Sequence, residues 1–166
     1  MSKVIQAVEF STYQLSDREW VTTVNLRHYR DVEGFDARFD GVMSEALDFL
    51  ERQRHDARSH FLIASVEGHR VGCIFLSADA RETGRVRLFY LDDTHRGTGI
   101  ARRMLDKVIE CASIAGFSKL HVSTFDRHRA ACRLYASCGF QSTVHPLTST
   151  FGQTMRQVDF SLDLPI

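Results

Sequence analysis

Proline is nearly absent from this 166-residue chain: Pro146 and Pro165 are the only two, and both lie late. Nothing reads as a proline-rich linker, and no repeat or low-complexity tract divides the sequence. Net charge is absent too, because 21 Lys and Arg balance 21 Asp and Glu. General nucleic-acid and membrane-surface binders depend on a basic footprint, so those partners are not expected. A local basic pocket for one anionic ligand remains open. No apolar run approaches the ~20 residues of a membrane helix. The opening MSKVIQAVEF lacks the apolar stretch and cleavage site of a signal peptide. Cys73, Cys111, Cys132 and Cys138 form no CxxC pair, which signals neither a zinc site nor a redox pair. They read as reduced, mostly buried thiols of a cytoplasmic protein. The histidines show no HxxxH or HExxH spacing, so no metal is expected. What is present is an ordinary soluble composition, 43% hydrophobic and 25% charged, which places the chain as one domain over residues 1–166.

The hydrophobic pattern sets the elements. Residues 3–10 read as a short strand. Ser16 and Glu19 stand in capping-box spacing, with Leu15 and Trp20 placed as a hydrophobic staple. The helix they start runs to about residue 31. Asp36 can cap a second helix, whose apolar stripe is Phe39, Val42, Met43, Ala46, Leu47 and Leu50. Residues 61–66 and 71–77 form a hairpin around Glu67-Gly68-His69-Arg70, and 85–91 form another strand. A long helix follows, from about residue 100 to Ala115, and Gly116 ends it. Then come a strand at 119–124, a short helix near 128–137, and strands near 140–145 and 155–163. The order β-α-α-β-β-β-α-β-α-β-β predicts an α/β (α+β) fold: a mixed, mostly antiparallel sheet of about seven strands with helices on both faces.

The most informative segment is Arg96-Gly97-Thr98-Gly99-Ile100-Ala101, between a strong strand and a strong amphipathic helix. A helix N-terminus leaves about four N–H groups unpaired and carries roughly half a positive charge. Glycines let an anion approach such a backbone closely, which suits phosphate or pyrophosphate. Arg96, Arg102 and Arg103 add positive charge locally. A tight turn that uses glycine for geometry alone would look the same. The Walker pattern GxxxxGK is missing. The dinucleotide fingerprint fails because Arg102 stands at its third glycine position.

Arg96, Gly99 and Ala101 do satisfy the acetyl-CoA loop pattern of the GNAT N-acetyltransferases: Arg or Gln, two residues, Gly, one residue, then Gly or Ala. The stretch RLFYLDDTHRGTGIARRML, then KLHVSTF, then AACRLYASCGF, resembles the GNAT core from its fourth strand to its sixth. The resemblance is closest to the acetyltransferase half of MarR-GNAT fusion proteins, without their winged-helix half. It extends to the segments around Trp20, GFDARF at 34–39 and TSTFGQTMRQVDFSLDL, and so covers nearly the whole chain.

The resemblance implies a GNAT fold and an acetyl-CoA-dependent N-acetyltransferase acting on a small-molecule amine. Backbone groups of Phe89, Tyr90 and Leu91 would meet the pantetheine and acetyl carbonyl. The loop from Arg96 through Gly97, Thr98, Gly99 and Ile100 to Ala101 would hold the pyrophosphate. His128 stands where many relatives carry an asparagine near the pantetheine arm. Tyr135 matches the tyrosine that protonates the departing thiolate, and a core tyrosine would look identical. Tyr29, in the run Arg27-His28-Tyr29-Arg30, matches an aromatic of the acceptor side. That run also reads as a solvated basic helix end.

Many relatives supply a carboxylate on the fourth strand as general base. Here the strand reads Arg85-Val86-Arg87-Leu88-Phe89 and has none. Glu82, Asp92, Asp93 and Asp126 lie nearby, Asp126 also being placed to cap the short helix, and the base stays unassigned. Arg87, which strand alternation puts on the face of Phe89 and Leu91, is expected to hold an acidic group of the acceptor. The other option for it is an ion pair with a helix carboxylate. Two further classes stay open: a catalytically silent acyl-CoA-binding module, and a protein binding another diphosphate nucleotide. GNAT chains of this size often form homodimers.

Overall fold

Seven strands form one sheet in a computed structural model that describes residues 7–165. In chain order the elements are β1 (Glu9–Thr12), α1 (Arg18–Arg27), α2 (Arg38–Arg52), β2 (His60–Val66), β3 (His69–Ala80), β4 (Thr83–Leu91), α3 (Ile100–Ile114), β5 (Lys119–Phe125), α4 (Arg129–Ser137), β6 (Gln141–Thr150) and β7 (Gln153–Asp163). The strands lie in the order β1-β2-β3-β4-β5-β7-β6. Only β4 and β5 pair in parallel; every other pair is antiparallel. The first strand begins later than the pattern predicts, and residues 3–6 of that prediction lie outside the described residues. Among the described residues no helix is long and apolar enough to cross a membrane.

Each face of the sheet has its own core. One is built on α3, whose Ile100, Met104, Leu105, Val108, Cys111 and Ala112 are buried. It also holds Ile74, Leu76, Val86, Leu120 and Tyr135. The other lies under α1 and α2 and contains Val21, Met43, Leu47, Leu50, Phe61, Cys73 and Phe75. Val42, expected in the apolar stripe of α2, is instead 47% exposed, because the sheet covers only the side bearing Met43, Leu47 and Leu50.

The start of α1 differs from its prediction. Gln14 and Asp17, not Ser16 and Glu19, form the reciprocal box, with the Gln14 N–H donating to Asp17 at 2.8 Å. Asp17 is buried and also accepts from Arg70 at 2.8 Å, so a tertiary ion pair selects the capping residue. Leu15 is left exposed, and Trp20 packs edge-on against Tyr90. The helix does not simply run to residue 31. It widens into one π turn over His28–Val32, closed by the Glu33 N–H on the His28 carbonyl at 3.1 Å. Asp36 caps as expected in chemistry: its carboxylate accepts the Arg38 N–H at 3.1 Å.

One irregularity positions everything that follows. Cys73 faces Tyr90 and Phe75 faces Arg87, so β4 has one residue more than β3 between these pairs. That bulge sits at Leu88, whose φ is 51°. The Cys73 thiol donates to the Leu88 carbonyl at 3.1 Å and holds it. A bulge bends its strand and aims it away from a neighbour. β4 accordingly pairs with β5 only over Thr83–Arg85 and Lys119–His121, then the two part. Gly72 lets β3 stay close to the bent strand, since a Cβ there would meet the Tyr90 carbonyl at 2.6 Å.

Candidate active site

The opening between β4 and β5 ends at the glycine turn. Gly97 and Gly99 have φ of 72° and 85°, the left-handed conformation that side chains rarely adopt. Gly99 is the N-cap of α3, no side chain caps the helix there, and no acid stands in its first turn. A Cβ on either glycine would meet no other atom within 4 Å, so the turn is open on its outer side. Arg96, Gly97, Thr98 and Gly99 are exposed. The Thr98 hydroxyl donates to the His95 carbonyl and shapes the turn. Arg96 pairs with Asp93 at 3.2 Å, and Arg102 with Asp106 at 3.3 Å. Ile100 buries its side chain in the core and offers a ligand only its amide. An open, uncapped helix end flanked by arginines fits a pyrophosphate, and the parted strands fit a narrow arm leading from it.

The bulge corrects the placing of Arg87. It reverses the alternation, so Phe89 and Leu91 lie with the α3 core whereas Arg87 lies opposite, with Phe75 and Phe49. Its guanidinium is 6.0 Å from the Phe49 ring and donates to Ser77 Oγ at 3.3 Å. The carboxylate near it is Asp79 of β3 at 3.9 Å, not a helix residue. Asp79 is engaged more closely by Arg85, at 3.0 Å. Burial, and then Arg85, lower the affinity of Arg87 for its proton, while Asp79 opposes.

Tyr135 is 3% exposed and lies across the opening from Phe89, with ring centroids 6.4 Å apart. Phe140 and Phe160 pack on its other sides. Burial raises the pKa of its phenol, and Tyr29 adds to the rise. Tyr29 is reached from the opposite face. Burial, then Glu33, pushes its pKa up to about 12. It packs on Phe35 and Phe39 while Arg27 and Arg30 stay exposed, so the basic run divides into an outer and an inner pair.

The residue that sequence reasoning missed is Glu33. Its carboxylate, 11% exposed, lies 3.1 Å from Arg127 Nε, 3.1 Å from His128 Nε2 and 3.5 Å from His28 Nε2. The approach of His128 is too oblique for a hydrogen bond. The other nitrogen of His128 meets Thr124 Oγ1 at 3.0 Å. No spacing signals Glu33, because the π turn decides where it points. Asn25 was missed as well. It is buried, donates to the Val21 carbonyl at 2.8 Å, and lies beside the Cys73 thiol that holds the bulge, where it offsets part of the rise that burial causes in that thiol's pKa. Its signal was an amide on the apolar face of α1 with Val21 and Val24. Asp126 does not cap α4; it accepts the Arg156 N–H at 3.1 Å and so ties down β7. Asp92 serves the turn before α3, accepting from His95 N at 3.1 Å.

The profile of the acetyltransferase (GNAT) family matches residues 15–140. N-acetyltransferase 8B of Homo sapiens is 33% identical over 108 residues, covering 61% of this chain and 47% of that protein. An IAA acetyltransferase of Azospirillum brasilense is 33% identical over 95 residues, covering 57% of this chain and 61% of that one. The chain thus spans about half to three fifths of the curated relatives it matches. The fold is similar to that of YncA from Salmonella typhimurium, solved with its cofactor acetyl-CoA. The TM-score is 0.73 at 18% identity, over 96% of this chain and 95% of that one.

Proposed function

The chain belongs to the GNAT acetyltransferase family, and from that premise we propose that it transfers an acetyl group from acetyl-CoA to the primary amine of a small molecule. The observation that carries the reading is the parting of β4 from β5 after three residue pairs, with the open glycine turn at its mouth. The turn from Arg96 to Ala101 holds the pyrophosphate on backbone amides, and the arginines around it add charge. Backbone groups of Phe89, Tyr90 and Leu91 line the arm that carries the thioester, with His128 on the far side. When bound, acetyl-CoA supplies an activated carbonyl whose oxygen gains charge as the amine attacks. N–H groups of the bent β4 strand stabilise that charge. Tyr135 then gives its proton to the leaving sulfur.

The acceptor lies on the α1–α2 side, against Tyr29, and carries an acidic group held by Arg87. Two arginines share one aspartate at Asp79, which leaves positive charge to spare. Arg87→Ala should raise KM for an acidic amine at least ~10-fold, as loss of a charge-assisted pair does, with a smaller change in kcat. An unchanged KM removes this role. Four free cysteines suit a cytoplasmic setting. The run from Arg87 through Phe140, with the segments around Trp20, 34–39 and 148–164, is the basis for proposing kinship with the MarR-GNAT fusions.

A second reading is favoured by β4, which carries no carboxylate: an acyl-CoA-binding module without turnover. Calorimetric titration with acetyl-CoA, with NAD and ATP as controls, tests the shared premise. Selective micromolar binding is expected. An intact protein that ignores acetyl-CoA overturns both readings, and binding without turnover on a broad amine panel selects the second.

A further inference from the structure

Glu33 spans the mouth of the opening. On one side it faces His28, whose ring packs 6.3 Å from Tyr90 of β4. On the other it faces Arg127 and His128, which follow β5. We propose that His28, backed by Glu33, takes the proton from the acceptor's ammonium group. The proposal rests on the acetyl-transfer reading and supplies the base that β4 lacks.

The geometry favours His28 over the acids near β4. Asp92 and Asp126 are committed to backbone N–H groups, and Asp93 pairs with Arg96. Among the described residues the His28 ring has no such commitment beyond its 3.5 Å approach to Glu33. It stands beside Tyr29, ring centroids 5.2 Å apart, on the side where the amine enters. Its charged surroundings come from three parts of the fold. Glu33 faces it from the π turn, Arg96 and Asp93 from the loop before α3, and His128 from the turn before α4. Burial lowers its pKa most, Arg96 and His128 lower it further, and Glu33 and Asp93 oppose. The imidazole is therefore neutral at neutral pH, as a proton acceptor must be.

The step balances. His28 accepts one proton from R–NH3+ and becomes an imidazolium beside the Glu33 carboxylate. The freed nitrogen pair forms the N–C bond, and the C–S bond breaks with its pair on sulfur. Tyr135 protonates that sulfur and is restored by the second proton lost from nitrogen. His28 releases the first proton to water.

The test compares two amines with acetyl-CoA at saturation. Ethylamine is almost fully protonated at neutral pH and needs a base; trifluoroethylamine is largely neutral and does not. His28→Gln should lower kcat/KM for ethylamine ~100-fold or more, and for trifluoroethylamine less than ~3-fold. In the wild type the ethylamine rate should fall as acid protonates His28, and that limb should vanish in His28→Gln. Glu33→Gln should keep most trifluoroethylamine activity and move the limb to higher acidity, because the imidazolium loses its counter-charge. Equal losses on both amines, or an unmoved acid limb, overturn the proposal. A wild type that binds acetyl-CoA and acetylates neither amine counts instead for the silent acyl-CoA-binding reading. Failure to bind acetyl-CoA overturns instead the reading beneath it.

Discussion

Tyr135→Phe should lower kcat by ~100-fold or more while leaving acetyl-CoA affinity and thermal stability nearly unchanged. The substitution removes one oxygen and keeps the ring. The ring does the packing, against Phe89, Phe140 and Phe160, so the core survives. Among the described residues the phenol oxygen makes no hydrogen bond, so its loss leaves no protein group unpaired. Burial raises the phenol's pKa, so it stays protonated at every working pH. A thiolate expelled into the same dry space is also raised in basicity, because burial disfavours its charge too. Proton transfer between the two is therefore favourable where water could not enter. Steady-state kinetics with a fixed amine, beside a thermal melt, checks the pair of expectations. A kcat within ~2-fold of wild type would make Tyr135 a packing residue, since an acid role carries 10²–10⁴-fold.

Gly99→Val should weaken acetyl-CoA binding at least ~10-fold, which calorimetry would read directly. Gly99 sits at φ 85° and ψ −1°, where a side chain costs ~1–2 kcal/mol. A β-branched residue relieves that strain by rotating out of the left-handed region. The amides of Ile100 and Ala101 would then turn from the place proposed for the pyrophosphate. The fold should tolerate the change, because a Cβ at Gly99 meets no atom within 4 Å and the turn is exposed. The Arg103 N–H on the Gly99 carbonyl, 3.2 Å, is a single exposed link. The expected result is thus lost affinity with a melting point lowered by only a few degrees, of the size that ~1 kcal/mol produces in a domain of this length. A lowered melting point with unchanged affinity would make the glycine a requirement of the turn alone.

Much of this was readable from the chain. The order of eleven elements followed from hydrophobic period and turn residues, which are local properties. Gly97 and Gly99 announced a left-handed turn because no other residue takes that conformation cheaply. The apolar faces of α2 and α3 were legible because burial repeats every three or four residues. Errors arose where a distant partner outweighed a local rule. Gln14 and Asp17 displaced Ser16 and Glu19 as the box before α1, and Arg70, far along the chain, holds Asp17 there. Arg87 changed faces because the Cys73 thiol holds a bulge at Leu88 from the neighbouring strand. No local pattern marks a bulge at a leucine.

By itself the sequence determined the α/β architecture, the left-handed glycine turn and the position of Tyr135 on a short helix. Those rest on periodicity, glycine chemistry and spacing, which the chain carries along its length. Only the tertiary structure decided how β4 leaves β5 and which side chains meet at that opening. His28, Glu33, Arg127 and His128 come from separate parts of the chain and converge through a π turn and the turn after β5. Their meeting depends on packing between elements, and packing is not written in any local period.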